Sequence, residues 1–314
     1  MDTLYDVIIV GSGPAGYTAA LYCARANLKT LLFEGYEMGG ALMQTTEVEN
    51  FPGFIEGIQG PDLMMNMRAQ AERFGAVLEM DEVTQLELSG DVKKVWCMDD
   101  QYQSKSVILA TGSKARTLGI EGEEEYAGRG VSYCATCDGA FFNDKNVVVI
   151  GGGDSAMEEA LFLTKFANHV TIVNRSNKYR ASQIMLDRAK NNEKIEFISS
   201  YKPMSILGED GKVTQIQLGG TFTRDIIYRP TDAVFIAIGH DPRNSLFKDE
   251  IVLDEQGYVM THSKGTQTNI DGVFAAGDLA DPRYQQAITA AGSGCKAALD
   301  VEEYLNNLPL EKLQ

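Results

Sequence analysis

Two stretches of this chain repeat one another at an offset of 140 residues: DVIIVGSGPAG at 6–16 and NVVVIGGGDSA at 146–156. Each begins with a β-branched apolar run, passes through a glycine-rich turn and opens a helical pattern, over 15–26 in the first copy and 155–167 in the second. A further β-type run follows each helix, at 30–33 and 170–173. In such a strand–turn–helix–strand unit the first glycine permits the tight turn and the second lets the backbone approach a pyrophosphate. The third small residue lets the helix pack closely on the strand. These positions are Gly11, Gly13 and Gly16 in the first copy and Gly151, Gly153 and Ala156 in the second. The helix start adds free N–H groups and the positive end of its dipole. One glycine-rich match is weak evidence. Two, each after a strand and before a helix, predict an α/β chain with two Rossmann-like dinucleotide-binding domains and two separate nucleotides.

The two copies differ where each meets a ribose. Glu34 lies 23 residues after Gly11, at the end of the second strand, where an acid can hydrogen-bond a ribose hydroxyl. The same offset lands on Asn174, which carries no charge and leaves room for a 2′-phosphate. Arg175, Lys178 and Arg180 follow it, and an arginine fork matches phosphate geometry.

Strand-like segments that end in small-residue turns recur at 106–112 (SVILATG), 233–239 (AVFIAIG) and 273–278 (VFAAGD, ending in Asp278). The simplest arrangement inserts the second nucleotide domain into the first. The first domain then comprises 1–115 and 245–314, the inserted domain 116–244, and the crossings fall near 116–118 and 242–244. Two adjacent crossings permit hinge rotation.

There are five cysteines, and only Cys134 and Cys137 are close together. Their CxxC spacing allows a small disulfide ring, and a helix start lowers a thiol pKa. Asp138 follows directly, where a carboxyl beside a thiolate can serve as a proton donor. No second CxxC or histidine pair completes four ligands, so no metal site is expected. Cys23, Cys97 and Cys295 read as buried thiols.

The net charge of -16 argues against nucleic-acid or anionic-membrane partners. No apolar run approaches the roughly 18–20 residues of a membrane span. The first residues carry neither a basic n-region nor a cleavage site, so a cytoplasmic location is expected.

The chain resembles low-molecular-weight, bacterial-type thioredoxin reductases over its whole length. The resemblance is carried by GSGPAG (11–16), TTEVENFPG (45–53), ATG (110–112), CATCDG (134–139), GGGDSAMEEA (151–160), AIGH (237–240), GVFAAGD (272–278) and QAITAAGSG (286–294). It implies an NADPH domain inserted into an FAD domain, rotation of the inserted domain, a homodimer, and thioredoxin or a related small redox protein as partner. FAD would be held by Gly11, Ser12, Gly13, Pro14, Ala15, Glu34, Gly40, Thr46, Asn50, Ala110, Thr111, Gly112, Gly277, Asp278, Gln286, Ala287 and Ile288. NADPH would be held by Gly151, Gly153, Asp154, Ser155, Ala156, Asn174, Arg175, Arg180, Ile238 and Gly239. Cys137 would face the flavin, Cys134 would attack the partner disulfide, and Asp138 would be the general acid.

Four positions depart from the family pattern. Ala41 stands for a glutamine, Asn174 for a histidine, Ser176 for a second arginine and Gln285 for an arginine. The Asn174, Ser176 and Gln285 departures bear on nicotinamide binding and predict a weakened preference for NADPH over NADH. Rival readings keep the flavin and the disulfide but change the donor to NADH or ferredoxin, or make the chain a dithiol oxidase. The intact second nucleotide turn weighs against ferredoxin, and the retained Arg175 and Arg180 against an oxidase. A flavin-dependent sensor without turnover is disfavoured by the complete Cys134, Cys137 and Asp138 set.

Overall fold

The computed structural model describes residues 3–45, 47–262 and 265–309. The chain forms two compact units, one running to Lys114 and resuming at Asp241, the other spanning Ala115–His240. The second is inserted into the first. The crossing segments, Ser113–Ala115 and His240–Pro242, pair as a two-stranded ribbon, so the return crossing falls a few residues ahead of the expected 242–244.

The first unit is built on a seven-stranded sheet. Strands Val77–Glu79, Thr30–Phe33, Leu4–Val10, Asp100–Leu109 and Val273–Ala275 run parallel. Strands Gln85–Glu87 and Lys93–Cys97 extend it as an antiparallel excursion. The central stretches Val7–Val10, Thr30–Phe33, Val107–Leu109 and Val273–Ala275 are buried on both faces, which is why they read as nearly continuous apolar runs. Val7, Ile9, Leu32, Ile108 and Phe274 point to the side covered by helices Pro14–Arg25 and Ala287–Asn306. Ile8, Val10, Leu31, Phe33, Val107 and Leu109 point to the other. Small residues let the two helices approach: a Cβ on Gly294 would stand 2.1 Å from the Ala15 carbonyl oxygen.

The second unit repeats the plan with five parallel strands in the order Val131–Ser132, Ala233–Ile236, Asn146–Ile150, His169–Asn174, Ile195–Ser199. One face packs Val147, Val149, Ile172 and Phe235 with helices Asp154–Leu163 and Gln183–Lys190. The other packs Val148, Ile150, Val173, Val234 and Ile236 against a three-stranded antiparallel sheet formed by Tyr201–Glu209, Lys212–Gly220 and Ile226–Pro230. That sheet is not marked in the sequence by any motif. Helix Asp154–Leu163 ends four residues short of the expected 167, and Thr164 is its C-cap. No helix among the described residues is long and apolar enough to cross a membrane.

Candidate active site

The two glycine-rich turns have the same construction. The Gly11 N–H donates to Phe33 O and the Gly151 N–H to Val173 O, both at 3.0 Å. In each, the residue just past the other strand paired with the first, Asp100–Leu109 or Ala233–Ile236, supplies a carbonyl that leaves no room for a side chain. A Cβ on Gly11 would lie 2.3 Å from Ala110 O, and one on Gly151 would lie 2.4 Å from Ala237 O. Gly11 also has φ +110°, a conformation L-residues rarely adopt. By contrast, a Cβ on Gly13 or Gly153 would meet nothing within 4 Å. That open backbone, at the N-cap of each helix, is what a phosphate needs.

The first unit gathers most of its expected site residues at the C-terminal ends of its parallel strands. Ser12 and Pro14 lie on the turn and helix start, and Ala15 packs beneath Gly277, whose Cβ would stand 2.9 Å from Ala15 Cβ. Gly40 lies against Gly13, its Cβ position 3.3 Å from Gly13 Cα. Thr111 Oγ1 donates to Arg243 O at 2.6 Å, and Gly112 O accepts from Arg243 N at 3.0 Å. Asn50 Nδ2 donates to Gln286 Oε1 at 3.2 Å, joining the loop before helix Gly60–Arg73 to the start of helix Ala287–Asn306. Gln286 caps that last helix, and Ala287 and Ile288 are its first residues. Asp278 has no hydrogen-bond partner among the described residues, and burial, helped by Asp281, pushes its carboxyl up to about 7. Thr46 lies outside the described residues.

Glu34 is differently placed from the expectation. Its side chain is fully buried, and Arg68 closes on it with Nε 2.9 Å from Oε1. Arg68 Nη2 donates to Oε2 at 3.1 Å, and the Tyr17 hydroxyl donates to Oε1 at 2.5 Å. The carboxylate that would greet a ribose is sealed and shared between two protein donors. Burial, followed by the Glu34 hydrogen bond, holds the Tyr17 hydroxyl well above its ordinary pKa. Neither Arg68 nor Tyr17 was marked by the sequence, since no short spacing links residues 17, 34 and 68.

In the second unit the loop after strand His169–Asn174 carries the basic residues. Arg175, Lys178 and Arg180 are exposed and have no ion-pair partner among the described residues. Asn174 is buried, and its Nδ2 donates to Ser176 O and to Lys178 O, each at 3.0 Å. With both amide hydrogens spent, Asn174 shapes the loop and cannot donate to a phosphate. Ser176 is turned to the same purpose, its Oγ accepting from Lys178 N at 3.1 Å. Gly152 O accepts from Arg180 N at 2.7 Å, which ties the loop to the turn. Asp154 Oδ1 accepts from Ser182 N and Oγ, both at 2.8 Å, while Ser155 is exposed and Ala156 buried. Ile238 and Gly239 follow strand Ala233–Ile236.

Cys134 and Cys137 form a disulfide with a Cα–Cα distance of 5.3 Å. Cys134 is the N-cap of a short helix, Ala135–Asp138, and its sulfur accepts from the Cys137 N–H at 3.2 Å. Asp138 is largely buried, which raises its carboxyl pKa, opposed by the Ser132 hydroxyl that donates to Oδ2 at 2.6 Å. Ser132 Oγ also accepts from Cys134 N at 3.1 Å, so one hydroxyl holds both the acid and the redox turn. Of the other cysteines, Cys23 and Cys97 are buried and Cys295 is half-buried. Among the described residues no group of His, Cys, Asp or Glu could hold a metal ion.

Comparison with known proteins agrees with this construction. The family model described as pyridine nucleotide-disulphide oxidoreductase matches residues 5–294. A thioredoxin reductase from Mycolicibacterium smegmatis is 57% identical over 304 residues, covering 97% of each chain. A bifunctional thioredoxin reductase/thioredoxin from Mycobacterium leprae is 55% identical, covering 97% of this chain and 66% of that protein. The crystal structure of thioredoxin reductase from Streptococcus pyogenes superposes with a TM-score of 0.92 at 42% identity, covering 98% of this chain and 100% of that one. Together with the paired nucleotide turns and the CxxC disulfide, these matches show that the chain belongs to the pyridine nucleotide-disulphide oxidoreductase family, among its bacterial-type thioredoxin reductases.

Proposed function

We propose that this protein is an NADPH-dependent, FAD-containing reductase of the disulfide in thioredoxin or a similar small redox protein. The observation that carries the reading is the Cys134–Cys137 disulfide, held beside a desolvated Asp138 in the unit that contains the second nucleotide turn. The M. leprae relative, named as both thioredoxin reductase and thioredoxin, supports that partner. A homodimer in the cytoplasm is part of the proposal.

The first unit fits FAD. The open Gly13 backbone would take the pyrophosphate, and Asp278, a desolvated carboxyl without a hydrogen-bond partner among the described residues, would accept a hydrogen bond from a ligand hydroxyl. Asn50, Ala110, Gly112 and Gln286–Ile288 would line the rest. The second unit fits NADPH. The open Gly153 would take its pyrophosphate, and the exposed Arg175, Lys178 and Arg180 its 2′-phosphate. When bound, these groups supply hydride transfer and a two-electron relay to the disulfide.

The chain's own residues handle protons and thiols. The Cys137 N–H stabilises negative charge on Cys134 sulfur. Asp138, whose carboxyl pKa burial raises, can give a proton to a departing thiolate, and Ser132 orients it. A thiolate of the pair then attacks the partner disulfide. A coupled assay with NADPH and NADH in parallel and several redoxins as acceptors tests this. NADPH-driven redoxin reduction is expected, and its absence with every acceptor refutes the proposal.

A further inference from the structure

The three-stranded sheet of the second unit reaches the basic loop that follows Asn174. Asn174 lies opposite Ser199, the last residue of strand Ile195–Ser199. The next residue, Ser200, takes φ +66°, a left-handed conformation uncommon outside glycine. That bend leads into strand Tyr201–Glu209, whose first residue pairs with Gly220 at the end of strand Lys212–Gly220. The hairpin turn over 221–225 follows directly.

Three hydrogen bonds tie this corner to the loop. The Thr221 hydroxyl donates to Arg175 O at 2.9 Å. Thr221 N donates to Ser200 O at 2.7 Å, and Ser200 N donates to Ser176 O at 3.4 Å. The Ser176 carbonyl thus accepts from both sides, from Ser200 N and from Asn174 Nδ2. The hairpin turn that carries Thr221 is held in its own right. Gly220 N donates to Asp225 O at 2.9 Å, and the Tyr201 and Thr223 hydroxyls both donate to the Asp225 carboxylate.

Arg175 is exposed, and its guanidinium stands at the end of a long, rotatable side chain. The main chain sets where that side chain begins. Fixing it reduces the freedom that binding a phosphate has to remove. NADPH and NADH differ only in the 2′-phosphate, so a brace on Arg175 acts on one cofactor and spares the other.

We propose that Thr221 is a positioning residue for cofactor choice. Its hydroxyl fixes the Arg175 main chain so that the guanidinium is presented to the 2′-phosphate of NADPH. The three-stranded sheet is then the outer brace of the phosphate loop, as Asn174 is the inner one. Thr221 acts through Arg175 and makes no contact with the cofactor itself.

This inference rests on the NADPH reading, and its test keeps the two apart. Affinities of the FAD-loaded enzyme for NADP⁺ and NAD⁺ are measured by calorimetry, which needs no turnover. Thr221 is exposed, so Thr221→Val removes the hydroxyl without opening the core. It should weaken NADP⁺ about threefold, toward the lower end for one lost hydrogen bond because this one is exposed, and leave NAD⁺ unchanged. Thr221→Ser keeps a hydroxyl and should bind both as the parent does. In an Arg175→Ala background, Thr221→Val should have no further effect, because the group it acts through is gone. Unchanged NADP⁺ affinity in Thr221→Val overturns the inference. So does equal weakening of both dinucleotides, or a loss that persists in full without Arg175. A parent that binds NADP⁺ no better than NAD⁺ refutes the NADPH reading, and the inference with it.

Discussion

Arg68 closes both carboxylate oxygens of Glu34, its Nε 2.9 Å from Oε1 and its Nη2 3.1 Å from Oε2. The Glu34 side chain is wholly buried while Arg68 keeps a fifth of its side chain exposed. The pair lies at the end of the second strand of the first nucleotide unit, so it fixes helix Gly60–Arg73 against the sheet.

Removing Arg68 strands a buried carboxylate. Arg68→Met is expected to cost about 3–5 kcal/mol, the usual penalty for breaking a buried pair from one side. Chemical denaturation measures it. The double variant Glu34→Gln, Arg68→Met should recover much of the loss, since no charge is then left unpaired. Equal stability of the single and double variants would contradict the assignment.

The basic loop of the second unit depends on Asn174 more than on any cation. Its amide donates to Ser176 O and Lys178 O. Asn174→Ala should therefore loosen the loop and lower kcat/KM for NADPH by about tenfold, the scale of one to two hydrogen bonds, with a smaller effect for NADH. Arg175→Ala and Arg180→Ala should each narrow the NADPH preference. Ser176→Arg also removes the hydroxyl that braces Lys178 N, so it should strengthen the preference less than an added cation alone.

The repeat at 6–16 and 146–156 made the two nucleotide folds legible, because glycine positions and β-branched runs are local signals. So was the redox pair, whose spacing is its own signature. The three-stranded sheet at Tyr201–Glu209, Lys212–Gly220 and Ile226–Pro230 was not, because antiparallel strands with one solvated face carry no motif. The partners that matter most within the sites were also hidden. Arg68 meets Glu34 across 34 residues, and Asn50 meets Gln286 across 236. Only folding brings such pairs together. Asn174 was legible as an uncharged position beside the cations, but its role as a loop brace depends on backbone carbonyls that sequence does not display.

Asp138 and Ser132 form a testable acid. Asp138→Asn should slow redoxin turnover by roughly 10²-fold or more, the scale of losing a general acid. The Ser132 hydrogen bond favours the ionised form, so Ser132→Ala should move the Asp138 limb of the pH–rate profile to higher pH. An unmoved limb would mean that Ser132 only seats the turn.

Asp278 predicts a pH dependence of the cofactor-free protein. Its folded pKa is about 7, above the roughly 4 of an unfolded aspartate, so the native state binds more protons between those values. The stability it contributes is present below about pH 4 and is lost as pH rises through 7. Asp278→Asn should flatten that decline, seen as thermal midpoints of parent and variant diverging between pH 4 and 8. Bound FAD, by giving the carboxylate a hydroxyl partner, should reduce the difference.

The central claim is that electrons from NADPH reach the Cys134–Cys137 disulfide through the flavin. Anaerobic titration with NADPH, followed by flavin absorbance, tests it directly. The parent is expected to take up one electron pair more than Cys134→Ser or Cys137→Ser, each of which should still bleach its flavin yet fail to reduce a redoxin. Equal uptake by parent and variants, or redoxin turnover that survives either substitution, would contradict the account.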